Sequence, residues 1–362
     1  MSPASSGVSS SSLQKLRQIW GSNVSLKFSK PFDIRMLNRD SAWRRSIASD
    51  QAVLSARFAV NSTRRTMCPL CNGSDSSRVM VVHGVSYLEC ATCSHLYSEL
   101  IPLEGAVQSL YDDSEGSDAS SQAKIYLDDT LFARRIEMIG RPKVDFVTEV
   151  IGSTAGEWLD IGCGTGEVLV AARDAGWHVR GIEADIRFVD FAQMRGLPVE
   201  HGFVTGDNSS SLIREATVVS LFNLVEHLED PVGLLKAIVA GARRGTWVVI
   251  EVPRHPSLSS LSNLLFPSLS ARHIYPPDHL HVFTDASLRQ VLGQAGISPF
   301  ALWLFGQDIQ DFVMTGVSHQ LREQPLPRFV DQILDAAPQL QQCVDEAGLS
   351  DTIVVVGRTV GN

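Results

Sequence analysis

The 362-residue chain lacks any apolar run near the roughly 20 residues a membrane-crossing helix needs, which excludes a helical spanning protein. It also lacks an excess of positive charge. The formal net charge is −9, which argues against binding a phosphate backbone as the main task. No apolar stretch follows the Ser-rich first dozen residues, so they do not read as a secretory signal, and the expected location is the cytoplasm. Cysteine is scarce, six residues in all, and nothing implies an oxidising compartment, so disulfides are the bland alternative for these thiols. What is present is ordinary globular material. Apolar residues make up 44% and charged residues 20%, enough for two or three domains of about 150 residues each.

The charge is unevenly spread. Residues 1–67 carry +8 and the remainder −17. Residues 1–66 therefore read as a disordered tail followed by a basic helical arm, with an organelle leader or an arm touching an acidic partner or another subunit as alternatives. The oligomeric state, monomer or homodimer, stays open.

Four of the cysteines form a pattern. Cys68-Pro-Leu-Cys71 and Cys90-Ala-Thr-Cys93 are two C-x2-C knuckles separated by 18 residues. Two such turns aim four thiolates at one point, the tetrahedral set that zinc prefers. Arg78 to His83 and Val85 to Leu88, split by Gly84, predict a hairpin between the knuckles. The unit over 67–100 thus reads as a zinc ribbon. Four protein ligands leave no open position, so the expected metal is structural Zn2+. His95 is an alternative ligand, but the four thiolates suffice.

The sharpest motif follows a stretch (101–143) read as a helical linker or lid. An apolar strand from Trp158 to Ile161 runs into Gly162-Cys163-Gly164-Thr165-Gly166, a helix follows, and a second strand from His178 to Ile182 ends in Glu183. Glycines let the backbone turn and approach a ligand, and an acid closing the second strand accepts from ribose hydroxyls. In a dinucleotide fingerprint a third glycine comes three residues after the second, and Glu167 stands there. Asp160, two residues before the first glycine, would repel a pyrophosphate and welcome a cationic amino-acid tail.

An acid followed by Gly-x-Gly-x-Gly, with an acid ending the next strand, resembles the class I S-adenosylmethionine-dependent methyltransferases from about residue 144 to the end. The resemblance implies a Rossmann-like α/β fold with a seven-stranded doubly wound sheet over 144–362. It implies S-adenosyl-L-methionine as cofactor, bound by Asp160, Gly162, Cys163, Gly164, Gly166, Glu183 and Ala184. Pro198 to Val204 suits the third strand, and Phe203 packs on the adenine or in the core. Thr217 to Phe222 suits the fourth, placing Phe222 and Asn223 near the methionine end of the donor. Trp247 to Val252, 299–305 and 352–358 complete the sheet, and 307–350 becomes a partly helical insertion.

Ligands bind beyond the carboxyl ends of the strands, so the segment after the fifth strand is the place to look for the acceptor. Four of the ten histidines fall within 255–281. An imidazole takes a proton at neutral pH, and an adjacent carboxylate orients it. His279 is the candidate base, oriented by Asp278, with His281 and His227 as further candidates. Tyr275 is a substrate hydrogen-bonding group or plain core.

Together, the cysteine knuckles, the glycine loop, Glu251-Val-Pro253 and Asp278-His279-Leu280 resemble bacterial methyltransferases of sugar and glycan biosynthesis, including nucleotide-sugar C-methyltransferases. That implies a small-molecule or nucleotide-linked sugar acceptor, methylated on oxygen or carbon. The runner-up is an O-methyltransferase of a phenolic or quinone-like small molecule, with Glu226 and His227 holding a divalent metal against the acceptor oxygens. A zinc-ribbon RNA methyltransferase is a third reading, opposed by the acidic remainder and the absence of aromatic-interleaved basic stripes. A non-enzymatic scaffold is the fourth, opposed by the intact Asp160, glycines and Glu183.

Overall fold

A computed structural model of the chain describes residues 10–30, 41–103, 126–269, 272–274, 276, 278–321 and 327–360. Tyr275 and much of the stretch read as a linker, residues 104–125, lie outside them.

The centre is a mixed sheet in the order β1-β13-β14-β11-β10-β7-β8-β9. Its strands are β1 (Ser25–Phe28), β7 (Glu157–Ile161), β8 (His178–Glu183), β9 (Val199–His201), β10 (Ala216–Phe222), β11 (Trp247–Pro253), β13 (Ile297–Phe305) and β14 (Thr352–Thr359). β14 runs antiparallel to both β11 and β13, and the remaining pairs are parallel. Central strands such as β11, Trp-Val-Val-Ile-Glu-Val-Pro, are buried along their whole length. That is the pattern of a sheet covered on both faces, where apolar residues run continuously instead of alternating. Two packed cores cover those faces, one built on Leu159, Val219 and Ile250, the other on Trp158, Trp247 and Trp303.

The expected seven strands are eight. β1 pairs in parallel with β13, and Trp303 Nε1 donates to Ser29 O at 2.9 Å. The segment read as a basic arm thereby extends the central sheet. Helix Ser10–Trp20 docks beside it, with Ser12 Oγ donating to Ala347 O at 3.0 Å. The signal for β1 was weak because Ser-Leu-Lys-Phe is short and only half-buried. The insertion forms two helices, Asp308–Leu321 and Arg328–Glu346, with Pro338 inside the second.

β2 (Ser62–Arg64) pairs with β6 (Leu100–Pro102) in a two-stranded ribbon, and the cysteine unit forms a further sheet, in the order β12-β5-β4-β3. β3 (Ser76–Val82), β4 (Val85–Cys90) and β5 (Leu96–Ser98) come from the unit itself, and β12 (His281–Val282) comes from the segment after β11. The unit read as a zinc ribbon over 67–100 is therefore extended by a strand from beyond residue 280. No helix among the described residues is long and apolar enough to cross a membrane.

Candidate functional site

β7 delivers the chain to the glycine loop at the carboxyl edge of the sheet. Gly162 and Gly166 have φ of 71° and 88°, values an L side chain rarely adopts. A Cβ on Gly166 would also stand 2.4 Å from Leu197 Cδ1, so that side chain would have to move. Glu183, at the tip of β8, accepts from the backbone N–H groups of Gly164, Ala184 and Asp185 at 2.8, 2.8 and 2.9 Å. Burial raises its carboxyl and those three donors oppose the rise. Asp160 is fully enclosed. Burial pushes its carboxyl up to about 7, against the hydroxyl of Ser220, which donates to Oδ1 at 2.5 Å.

Cys163 turns its thiol into the small core with Leu169 and Val189, so only its backbone faces the loop. Phe203 is 49% exposed, which removes the core alternative and leaves its ring at the rim beyond β9. Asn223, with φ of 52°, donates from Nδ2 to Glu251 Oε1 at 3.1 Å.

Two cations that the sequence reading passed over stand in the same region. Lys143 is buried with its Nζ 2.8 Å from Glu251 Oε2 and 4.6 Å from the centre of the Phe222 ring. Arg135 is buried beside the glycine loop, donates to Thr165 Oγ1 at 3.1 Å and lies 3.5 Å from Glu167. No motif marks either residue, since both sit among apolar positions of the helical stretch 129–151.

Across the edge, the turn Val225–His227 and the loop carrying His279 converge. Glu226 is wholly buried, and neither carboxylate oxygen has a hydrogen-bond partner among the described residues. Burial drives its pKa well above the usual carboxylate range. The rings of His227 and His279 meet edge to face, with centroids 4.7 Å apart. Glu226, His227 and His279 each offer a ligand atom within 4.8 Å of the others. Burial lowers His227 to about 4 and holds His279 well below its ordinary value, so both are neutral at pH 7. His279 Nδ1 donates to His273 O at 2.7 Å, so in the neutral ring the hydrogen sits on Nδ1 and Nε2 has acceptor character. The sequence reading gave that orienting role to Asp278, whereas the acceptor on Nδ1 is a backbone carbonyl from the same tight loop.

His281 belongs elsewhere. Its Nε2 donates to Leu228 O at 2.8 Å and its Nδ1 lies 2.9 Å from His95 Nε2, so both nitrogens are engaged in structure. His95 is likewise spent, between His281 and Ser287, and is not a fifth ligand to the cysteines. The thiols of Cys68 and Cys93 lie 3.6 Å apart and those of Cys71 and Cys90 3.5 Å apart, all four within 4.8 Å. A tetrahedron with metal–sulfur bonds of about 2.3 Å has edges of about 3.8 Å, so the set fits zinc.

Comparison with known proteins follows the same outline. A family model described as a methyltransferase domain matches residues 133–299. The chain is similar to the ubiquinone biosynthesis O-methyltransferase of Bordetella avium (strain 197N), 24% identical over 201 residues, 52% of this chain and 81% of the relative. It is 26% identical over 203 residues to the protein of that name from Bordetella bronchiseptica, covering 52% of this chain and 81% of that one. Among solved structures it is similar to a SAM-dependent methyltransferase from Archaeoglobus fulgidus (18% identity, TM-score 0.40, 63% of this chain and 98% of that one). It is also similar to the magnesium protoporphyrin IX methyltransferase of Synechocystis PCC 6803 with bound SAH (14% identity, TM-score 0.44, 70% of this chain and 99% of that one).

Proposed function

We propose that this chain, an S-adenosylmethionine-dependent methyltransferase built on a class I domain, methylates a hydroxyl of a small phenolic or quinone-like acceptor. One observation carries the choice: a buried carboxylate with no hydrogen-bond partner among the described residues, Glu226, beside two neutral imidazoles, His227 and His279. A lone buried carboxyl costs stability unless a cation or a proton satisfies it. One carboxylate and two imidazoles form a donor set that suits a divalent transition metal or zinc. Such an ion, when bound, makes an acceptor hydroxyl more acidic. The names of the relatives support the same acceptor class.

The chain's own residues supply the rest. Asp160 and Glu183 are assigned to the two ends of the donor, with Gly162, Gly164 and Gly166 giving its adenosine and methionine portions close backbone approach. Arg135 is assigned to the donor's carboxylate, since a guanidinium beside the glycine loop matches that charge. Asn223 and the Lys143–Glu251 pair line the methionine end. His279, held by His273 O, keeps Nε2 turned to the acceptor side, and the loop must bring the acceptor oxygen about 3 Å from the methyl carbon, in line with the sulfur. Zinc at the four cysteines is structural in this reading.

A second reading, a sugar hydroxyl as acceptor with His279 taking its proton, is favoured by the four-cysteine unit ahead of the domain. The discriminating experiment assays methyl transfer to catechol, as a probe phenol, before and after a chelator that leaves one zinc per chain. Loss of turnover on chelation, restored by Mn2+ or Zn2+ in the parent but not in Glu226→Gln, is expected. Chelator-insensitive turnover, unchanged in Glu226→Gln, rejects the metal reading, and absence of any transfer to catechol rejects the phenolic acceptor and favours the sugar.

A further inference from the structure

The chain around His279 is stitched alternately to two units. His279 O accepts from the Tyr87 hydroxyl at 2.7 Å. Leu280 N donates to Glu226 O at 2.9 Å, and Leu280 O accepts from Ser98 N at 2.9 Å. β12 then pairs with β5, His281 opposite Tyr97 and Val282 opposite Leu96. Tyr87 and Ser98 belong to the cysteine unit, Glu226 to the methyltransferase edge. The segment that carries His279 is therefore held to Glu226 on one side and to the cysteine unit on the other.

A side-chain relay runs along the same seam. A carbonyl only accepts, so His281 Nε2 must carry the hydrogen given to Leu228 O. Its Nδ1 then accepts from His95 Nε2, and His95 Nδ1, left bare, faces the Ser287 hydroxyl at 3.3 Å. The tautomers of both rings are fixed by one backbone oxygen. Tyr87, His95, His281 and Ser287 are buried, so a bond lost between them leaves an unsatisfied partner. The thiols bracket the two anchors. Cys90 closes the strand that bears Tyr87, Cys93 stands two residues before His95, and Cys90 N donates to His95 O at 2.9 Å.

We infer that Tyr87 and His95 are positioning residues through which the four-cysteine unit sets the place of His279, so that the metal-bound state of Cys68, Cys71, Cys90 and Cys93 governs the geometry of the acceptor side. The cysteine unit is then a working part of the site. Its metal closes the two knuckles, the closed knuckles fix the ends of β4 and β5, and those strands hold the His279 carbonyl and β12. The consequence for turnover rests on the reading of His279 given above; the coupling itself does not.

The test uses the full chain, zinc-loaded and 15N-labelled at histidine, with the His279 ring signals identified by their loss in His279→Gln. Tyr87→Phe removes one oxygen and keeps the ring. It is expected to retain one zinc per chain and its donor affinity, to move the His279 ring signals, and to lower turnover on catechol about tenfold or more with little change in KM. His95→Leu should move the same signals, and His95→Gln, which keeps a donor near the Nε2 position, should restore them. Val81→Ala, at an exposed position on β3, should do neither. If Tyr87→Phe fails to fold, the contrast between His95→Leu and His95→Gln decides. Signals coincident with the parent in both Tyr87→Phe and His95→Leu overturn the inference. Shifted signals with unchanged turnover uphold the coupling and remove His279 from the acceptor site.

Discussion

The Ser220 hydroxyl sits between Asp160 and Trp158, donating to the carboxylate at 2.5 Å and accepting from the indole Nε1 at 2.8 Å. It is a neutral donor on a carboxylate whose pKa burial lifts to about 7. The folded carboxyl therefore holds its proton more tightly than in the unfolded chain, where its value is 3.8. Without donor, its contribution to stability is greatest below 3.8 and declines as pH rises to 7. A cationic donor needs the charged form, so binding runs the other way. Calorimetry should show S-adenosylmethionine affinity climbing from pH 6 to 8, about tenfold for each unit below 7, then levelling. Asp160→Asn should flatten that profile. Ser220→Ala should raise the midpoint and cost about 1–3 kcal/mol in unfolding, because it orphans the buried indole as well.

Glu226→Leu should separate stability from activity. In the chelated protein the native residue buries a carboxyl that no described group satisfies. Replacing it with an apolar side chain of similar size should raise the unfolding free energy by about 1–2 kcal/mol. Turnover should fall at least about a hundredfold if, as proposed, the same carboxylate is the anionic ligand of a metal at the acceptor. A thermal scan of chelated protein in which Glu226→Leu melts below the parent would remove the argument that this carboxylate awaits a cation.

For the cysteine knuckles the expectation is metal content first and stability second. Cys71→Ser leaves three thiolates. Metal analysis should find the zinc lost, and the melting temperature should drop by roughly 5–10 °C, the consequence of losing a few kcal/mol from a domain of this size. Treatment of the parent with a thiol reductant alone should change neither, because the four thiols do not form disulfides. A parent stripped of zinc that keeps the melting temperature of the zinc-loaded parent would rule out a structural metal.

The parts of the site that were legible in the sequence are those whose chemistry is local. The glycine loop, the acid closing β8 and the paired knuckles each lie within a short window, and residue type plus spacing carries their meaning. What was hidden depends on distant burial. Lys143 and Arg135 look like ordinary helix cations until the fold carries them to the sheet's edge. His279 and His281, two residues apart, read alike as candidate bases. One lies at Glu226 and the other is enclosed by His95 and Leu228, a distinction made by β12 joining the ribbon sheet. The eighth strand was hidden for a related reason. Ser25–Phe28 acquires its strand character from the edge of β13, not from its own composition.

The N-terminal segment is tied to the insertion by a buried ion pair, and this gives a last prediction. Arg44, on helix Ser41–Val60, places its guanidinium 2.6 Å from Asp311 Oδ1, and Arg272 approaches the other oxygen of the same carboxylate at 2.6 Å. Desolvation would raise the Asp311 carboxyl, but the two cations outweigh it and hold it at about 2. The stability this supplies is fully present above 3.8, the ordinary value, and is lost as pH falls toward 2. Arg44→Met removes one partner while keeping an unbranched apolar stem. With Arg272 still in place the loss should be about 3 kcal/mol at pH 7, and acid unfolding should begin at a higher pH than in the parent. Urea titrations at pH 7 and pH 3 measure both effects. The gap between variant and parent should be wide at pH 7 and narrower at pH 3, where the carboxyl is mostly protonated in the unfolded chain and part of the pair's stabilisation is already lost. A gap of equal width at the two pH values would mean that Arg44 stabilises through its packed stem and not through its charge.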